Sequence, residues 1–464
     1  MSGDPHTALP LGFAKLYNRR GEPAGRHQPE ADPPPAEVFA RKMTPSYEKT
    51  TLPNGLRILT APIPHTYSVS VGIYVGTGSR YERKEEAGLS HFVEHLCFKG
   101  SAKRPSAREI SEAIDGVGGF LNGGTDRELT VYYGKVAALH FTLVLDVLAD
   151  MVSAPVFAPE EMEKERKVIL EELAMVADNP SQMADLLLDE ALWPDQPLGW
   201  DVAGSEESVQ GISRQMALDY LCRQYVPNNL VVAVAGNVDA AQVQEQVAAY
   251  WGDRPAGSPS SWFPAVDGHG PRCAVRYKKT EQAHVCLGVR GVSMHHPDRH
   301  ALALLSVILG EGMSSRLFLE LRERLGLAYD VNSYVSSFRD TGAFSVYAGV
   351  DPTKAVEAVQ AVLAELARLR DGVSEEELLK AKELSKGRLL LRLEDTRAVA
   401  SWLGGQELLL GRVYSVDEAV ALLEAVTADD MRRVAADLLV TEQLYLALVG
   451  PFRSDKRFAP LLRL

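Results

Sequence analysis

The sequence predicts an α+β fold built from two homologous, duplicated domains, each a mainly antiparallel sheet packed with helices. The chain has 464 residues, about twice the length of a typical single domain. Strand-like alternation of apolar and polar residues recurs between long helical stretches. An offset of 214 residues brings several of these elements into register, which indicates that a domain has been duplicated.

The duplication rests on three pairs of predicted strands. At this single ungapped offset the aligned segments are 69–75 with 283–289, 129–134 with 343–348, and 230–236 with 444–450. The last pair carries Leu, Ala and Gly at equivalent positions, and both of its members are apolar enough to be buried strands. A single offset shared by three strands is typical of two copies with one topology.

The other elements follow from local patterns. An apolar-rich stretch at 56–61 precedes a turn and the alternating strand at 68–75, and the helical pattern appears at 88–98, 137–151 and 159–178. A stretch rich in Gly, Pro and Ser then separates the two copies. We therefore predict a flexible N-terminal extension at 1–45, a first domain at 46–251, a linker at 252–272 and a second domain at 273–464.

Composition argues against several classes of protein. The chain has 49 Lys and Arg against 62 Asp and Glu, and a formal net charge of −13 argues against a general nucleic-acid binder. Its four cysteines lie far apart without CxxC spacing, so neither a cysteine metal site nor a disulfide framework is expected. No apolar run approaches the roughly 18 to 20 residues that span a bilayer, and we expect no membrane association.

The first 43 residues are rich in Pro and contain scattered Arg. They lack the apolar core and small-residue cleavage site of a secretory signal, so a cytoplasmic location is expected. Such a composition favours a flexible extension over a packed element. A weak organelle transit peptide is the alternative interpretation of this segment.

The most informative motif is HxxEH, formed by His91, Glu94 and His95. On a helix the two histidines lie one turn apart and within about 40° of each other, so both imidazoles can reach one zinc ion. Glu94 then lies where it can take a proton from a zinc-activated water. A surface helix with two unrelated histidines is the alternative. The motif predicts a metallopeptidase with one zinc ion (Zn²⁺) per chain.

A catalytic zinc usually has three protein ligands and one open position. The predicted helix at 163–172 carries several acids, of which Glu165 and Glu172 lie seven residues apart and therefore share a face. A charged run of this kind is more often a solvated helix face than a ligand set. The residues alone therefore do not select the third ligand.

At this point the sequence resembles the inverzincin peptidases, which include pitrilysin, insulin-degrading enzyme and the mitochondrial processing peptidase. The resemblance covers nearly everything after residue 45 and implies a short, two-domain member, half of a clamshell chamber. In that family the third zinc ligand follows HxxEH after 76 residues, which is Glu172 here. A supporting glutamate seven positions earlier corresponds to Glu165.

Two further segments resemble the family's pattern. The segment 118–125 is similar to the one whose edge strand pairs with the substrate backbone, which makes Asn122 a substrate contact, although Gly123 stands where Ala is common. In the second copy Arg322 and Tyr329 match a pair that holds substrate carbonyls and stabilises the tetrahedral intermediate. A Gly-rich turn and ordinary surface residues are the alternative interpretations.

The offset of 214 residues carries the zinc-site positions onto residues that cannot bind zinc: Leu305, Ile308, Leu309 and Lys386. The first copy is therefore expected to be catalytic. Large members of the family enclose peptide substrates with four such domains, which implies a homodimer here or a heterodimer with an inactive homologue. Presequence or leader-peptide processing is a narrower form of the same activity. A non-catalytic assembly subunit is the alternative function, because some relatives are cores of respiratory complexes.

Overall fold

The computed structural model describes residues 46–266 and 272–464. The predicted extension at 1–45 and residues 267–271 of the predicted linker lie outside the described residues. Residues 255–266 form neither helix nor strand, and they lead from the last helix of the first half toward the second half. No helix in the described ranges has both the length and the hydropathy needed to cross a membrane.

Among the described residues, the first half contains a six-stranded sheet and eight α-helices. Its strands are β1 (Glu48–Thr51), β2 (Arg57–Pro62), β3 (Ser68–Val75), β4 (Phe120–Thr125), β5 (Thr130–Ala137) and β6 (Leu230–Gly236). Its helices are α1 (Leu89–Cys97), α2 (Ala107–Asp115), α3 (Phe141–Ser153), α4 (Pro159–Asp178), α5 (Pro180–Leu192), α6 (Glu206–Gly211), α7 (Arg214–Gln224) and α8 (Ala240–Trp251). The strand order is β1-β2-β6-β3-β5-β4, and only β2 and β6 pair in parallel.

The second half repeats this plan with five strands. They are β7 (Cys273–Tyr277), β8 (Ala283–Gly291), β9 (Ala328–Ser337), β10 (Gly342–Val350) and β11 (Tyr445–Gly450). The helices are α9 (Arg299–Gly310), α10 (Ala355–Asp371), α11 (Glu375–Arg392), α12 (Thr396–Leu410), α13 (Val416–Glu424) and α14 (Ala428–Leu438), and a π-helical turn covers Phe318–Arg324. The order β7-β11-β8-β10-β9 matches β2-β6-β3-β5-β4, with one parallel pair again. The predicted α+β class with two duplicated domains is confirmed.

Each sheet is covered on one face by helices of its own half and on the other by a helix of the opposite half. Helix α5 packs on β8 and β11 of the second sheet, through residues such as Leu188. Helix α12 packs on β3 and β6 of the first sheet, through residues such as Leu403. Burial on both faces explains why β6 is apolar along its whole length instead of alternating.

The two halves also share a buried ion-pair cluster centred on Arg80, whose side chain is fully buried. Its guanidinium hydrogen-bonds Glu128 of the first half and Asp340 of the second, and its Nε donates to the carbonyl of Phe263 at 2.9 Å. A buried guanidinium requires such partners because an unpaired charge in the interior is costly. The cluster fixes residues on either side of the linker to the loop that precedes α1.

Candidate metal centre

Helix α1 places the motif histidines by burying its apolar face. Phe92, Val93 and Leu96 are fully buried in the first-half core. His91 and His95 lie on the side that turns away from this core, and their rings are 4.5 Å apart between centroids. Their side chains are 18% and 17% exposed, so both are partly shielded but accessible.

Helix α4 packs against α1 and brings one acid of its face to the histidines. An oxygen of Glu172 lies 3.8 Å from Nε2 of His91 and 3.6 Å from Nε2 of His95. One ligand atom from each of the three residues lies within 4.8 Å of the others. In the described ranges this is the only such group of three or more His, Cys, Asp or Glu side chains.

The donor set fits zinc in both type and spacing. Two imidazole nitrogens and a carboxylate are ligands that zinc accepts, and bond lengths of about 2.0–2.1 Å in a tetrahedron imply separations of about 3.3 Å between ligand atoms. The observed separations from Glu172 exceed this value by only a few tenths of an ångström. Nδ1 of His91 is buried with no hydrogen-bond partner among the described residues, and Nε2 is the ring nitrogen that faces Glu172.

Glu165 supports the site from behind His95. Its Oε2 accepts a hydrogen bond from Nδ1 of His95 at 3.0 Å, and its Oε1 lies 2.8 Å from Nζ of Lys99. Burial raises the pKa of Glu165, but the bonds from His95 and Lys99 outweigh burial and leave the pKa below its ordinary value. A hydrogen bond at Nδ1 leaves the lone pair of Nε2 directed toward Glu172, as metal-binding histidines require.

Lys99 is a site residue that sequence reasoning missed. It follows His95 by four positions, and this spacing places two residues on one side of a helix or its continuation. The four-residue spacing is visible in the sequence. It does not reveal the role of Lys99, because that role depends on Glu165, which α4 brings next to it.

The two histidines have different electrostatic surroundings. Burial, assisted by the charge of His95, lowers the pKa of His91 to about 4, so this imidazole is neutral near pH 7. Burial also lowers the pKa of His95, but Glu165, Glu172 and Glu94 together reverse this effect and raise it overall. A neutral imidazole is the form that binds a metal.

Glu94 lies against the edge strand β4. It is 8% exposed, and its Oε2 accepts a hydrogen bond from Oγ1 of Thr125 at 3.2 Å. Burial raises the pKa of Glu94, which is the direction that suits a general base. A Cβ placed on Gly123 would lie 2.7 Å from Oε1 of Glu94 and 2.9 Å from the ring of Phe98, so glycine permits this close approach.

A groove of about 350 Å³ runs beside His95 between α1, α4 and β4. Its lining includes Glu94, His95, Phe98, Lys99 and Asn122. Strand β4 pairs only with β5 in the described sheet, so no further strand covers its other edge. The structure therefore places Asn122 in the groove, and its Oδ1 accepts a hydrogen bond from the backbone N–H of Gly123 at 2.8 Å.

Two family models match most of this chain. The model described as insulinase, peptidase family M16, matches residues 57–206, and the model of the M16 inactive domain matches residues 211–385. An uncharacterized zinc protease of Bacillus subtilis is 38% identical over 87% of this chain and 98% of its own length. The chain belongs to peptidase family M16. A second uncharacterized zinc protease, from Streptomyces coelicolor, is 39% identical over 89% of this chain and 91% of its own.

Solved structures share the M16 fold at lower identity. A protease from Helicobacter pylori matches with a TM-score of 0.82 and 24% identity, over 88% of this chain and all of that one. A chain of complex III from Candida albicans matches with a TM-score of 0.78 and 22% identity, over 90% of this chain and all of that one. These likenesses concern the fold alone.

The second M16 half brings Arg322 and Tyr329 together at the start of β9. Nη1 of Arg322 donates to the carbonyl of Tyr329 at 2.9 Å, and its guanidinium lies 4.9 Å from the centre of the tyrosine ring. Tyr329 is 74% exposed. Neither residue hydrogen-bonds or ion-pairs with His91, Glu94, His95 or Glu172 within the described chain.

Proposed function

We propose that the protein is a zinc metalloendopeptidase that hydrolyses peptides or unfolded segments, with one zinc ion per chain. The observation that carries this proposal is the convergence of His91, His95 and Glu172 from two helices, with Glu94 buried beside them. A solvated helix face would not bring a third ligand within 4 Å of both histidines. The named zinc proteases among its relatives support the same activity.

The residues of the site divide the reaction between them. His91, His95 and Glu172 would hold the zinc ion, which when bound would activate water at neutral pH and polarise the scissile carbonyl. Glu94 takes the proton from the attacking water and then delivers it to the departing amine. Its bond from Thr125 and its contact with β4 hold the carboxylate in the groove.

The open edge of β4 is proposed to bind the substrate as an added strand. Backbone hydrogen bonds then hold the peptide beside Glu94, and Asn122 in the groove contacts it. Binding through the main chain tolerates many side-chain sequences. Presequence or leader-peptide processing is a narrower specificity of the same site.

The experiment that tests the activity compares wild type with Glu94→Gln on a mixed peptide library read by mass spectrometry. We expect Glu94→Gln to retain zinc and to lose cleavage by about 100-fold to 10,000-fold, because a general base contributes about that much. Glu171→Gln is the matched control, since Glu171 is exposed on α4 directly before the ligand Glu172. Equal cleavage by Glu94→Gln would contradict the proposal.

We also propose that the working unit is a homodimer in which Arg322 and Tyr329 serve the zinc site of the opposite subunit. The exposure of Tyr329, and the lack of a hydrogen bond or ion pair between the described Arg322–Tyr329 pair and the metal-site residues of the same chain, support this arrangement. A heterodimer with an inactive homologue is the alternative assembly.

Complementation distinguishes these assemblies. Glu94→Gln and Tyr329→Phe are each expected to be nearly inactive alone. A refolded equimolar mixture should recover about a quarter of wild-type activity, because half of the two-fold symmetric dimers would be mixed and would contain one intact site. A mixture no more active than its separate components would contradict shared sites in a homodimer.

A non-catalytic assembly subunit is the second candidate function, because the fold likeness to a complex III chain favours it. Such a subunit does not need the ligands, whereas all of them converge here. A purified chain that never binds zinc tightly would favour this alternative. We further propose a cytoplasmic location, which the four unpaired cysteines support because reducing compartments keep thiols free.

A further inference from the structure

Helix α1, which carries the zinc motif, begins without a side-chain cap of its own. Its N-cap residue is Gly88, with φ of 89°, and no side chain at that position caps the described helix. A Cβ on Gly88 would lie 2.4 Å from the carbonyl oxygen of Ala203, so a Ser or Asp cap cannot fit there. The first backbone N–H groups of α1 therefore need an acceptor from elsewhere.

Glu82, six residues before the cap, supplies that acceptor. Its Oε2 accepts from the N–H of Gly88 at 2.8 Å, and its Oε1 accepts from the N–H of Ser90 at 2.5 Å. The Glu82 side chain is almost fully buried at 1% exposure. Ser90 continues the network, since its Oγ lies 2.7 Å from the hydroxyl of Tyr220, which in turn lies 2.8 Å from Oγ1 of Thr77.

This cap matters for the metal centre because of where His91 lies. Helix α1 has nine residues, and His91 is the third, directly after Ser90. A helix this short depends on its caps and packing, since intrinsic helix formation is marginal below about 12 residues. Fraying of the first turn would move His91 relative to His95 and Glu172 while leaving the later turns in place.

We propose that Glu82 is a positioning residue of the metal centre, which fixes the first turn of α1 and so holds His91 at ligand distance from Glu172. Among the described residues Glu82 does not line the groove, and it bonds the Ser90 side chain and the backbone of the first turn of α1. The inference rests on the proposed function for the identity of the metal and the reaction. The hydrogen bonds between Glu82 and α1, however, do not depend on that function.

The test is Glu82→Gln in the full chain, with zinc affinity measured by competition with a chelator. An amide has a single oxygen and presents an NH₂ group to the other backbone N–H, so one of the two bonds is lost. We expect zinc to bind at least about tenfold more weakly, as for other residues that orient ligands. We also expect kcat to fall by a similar factor with KM within about twofold, because Glu82 does not touch substrate.

Two controls separate positioning from general stability. Glu85→Gln removes an exposed acid from the same loop and should leave zinc affinity and kcat at wild-type values. Val243→Ala, in the core on α8, should lower the melting temperature without changing the zinc affinity of the folded protein. Wild-type zinc affinity and kcat in Glu82→Gln would overturn the proposal. If that variant does not fold, Glu82→Asp, which is too short to reach both N–H groups, replaces it under the same criteria.

The proposal and the proposed function can fail separately. A wild-type chain that binds zinc but cleaves no peptide would reject the peptidase, while the zinc affinities would still decide the role of Glu82. If the wild type binds no zinc, hydrogen exchange in the metal-free protein tests whether Glu82 fixes the first turn of α1. The Ser90 and His91 amides should then exchange at least about tenfold faster in Glu82→Gln. Unchanged exchange would overturn the positioning role.

Discussion

Helices α1 and α4 of the first half correspond to α9 and α11 of the second, and both pairs pack against each other beside a sheet of the same strand order. At the positions of His91, His95 and Glu172 the second half has Leu305, Leu309 and Lys386. The two leucines are buried in the second core. Lys386 ion-pairs with Glu383 and Glu424, so a fixed cation stands where the first half has a ligand.

The comparison shows that topology provides a cleft between two helices and that the residues in it determine its role. In the second half, apolar side chains fill the helix contact and stabilise the fold by burial. In the first half, the equivalent positions carry partly shielded polar groups, which a bound ion would stabilise under the proposed function. Substitution by alanine at equivalent positions should therefore weaken zinc binding in the first half and lower the stability of the fold in the second half.

The largest contrast is expected between His91→Ala and Leu305→Ala. Removal of His91 should weaken zinc binding by more than about 100-fold, beyond the range typical of residues that only orient ligands. Leu305→Ala should leave zinc binding unchanged but lower the free energy of unfolding by about 2–5 kcal/mol through a core cavity. Chelator competition and urea unfolding of both variants check these values. Weaker zinc binding in Leu305→Ala would break the comparison.

A smaller contrast is expected between Glu165→Gln and Leu379→Gln, which are equivalent positions on α4 and α11. Glu165→Gln should weaken zinc binding by about 10-fold to 100-fold, because the bond that orients His95 and the pair with Lys99 are both weakened. Leu379 is 61% exposed, so its substitution should change neither zinc affinity nor stability appreciably. Equal zinc affinities in the two variants would exclude a supporting role for Glu165.

The smallest effect is expected at Gly123, where the first half brings its edge strand against the base. The added methyl of Gly123→Ala must displace the mobile end of Glu94 or the ring of Phe98. We expect kcat to fall about two- to tenfold with zinc affinity unchanged, because misplacement of a catalytic group lowers rate without removing a ligand. Gly124→Ala is the matched control, since a Cβ on Gly124 would have no other atom within 4 Å among the described residues. Identical kcat values for the two variants would contradict the close contact.

The sequence predicted what depends on local spacing. HxxEH placed His91, Glu94 and His95 on one helix because three- and four-residue spacing fixes a helix face, and a constant offset disclosed the duplication. The choice of Glu172 needed a family resemblance, since spacing alone did not separate the acids of α4. The structure brings Glu172 within 4 Å of Nε2 of both histidines, whereas Glu165 bonds Nδ1 of His95.

The sequence did not predict what depends on distant segments meeting. Helices α5 and α12 each pack on the sheet of the opposite half. Their sequences do not reveal this, because each buries an apolar face as a helix packed on its own sheet would. The close approach of Gly123 to Glu94 and the capping of α1 by Glu82 arise from turns that no periodicity describes. Arg80 likewise looks like any other charged residue until Glu128 and Asp340 enclose it.

Under the proposed function, the cleft of the first half holds zinc and the equivalent cleft of the second half does not. Crystals of the zinc-loaded protein, measured on both sides of the zinc absorption edge, test it most directly. The account predicts one anomalous peak per chain, bonded to His91, His95 and Glu172 at about 2.0–2.2 Å. A peak beside Lys386, or a fully loaded chain with no peak between α1 and α4, would contradict it.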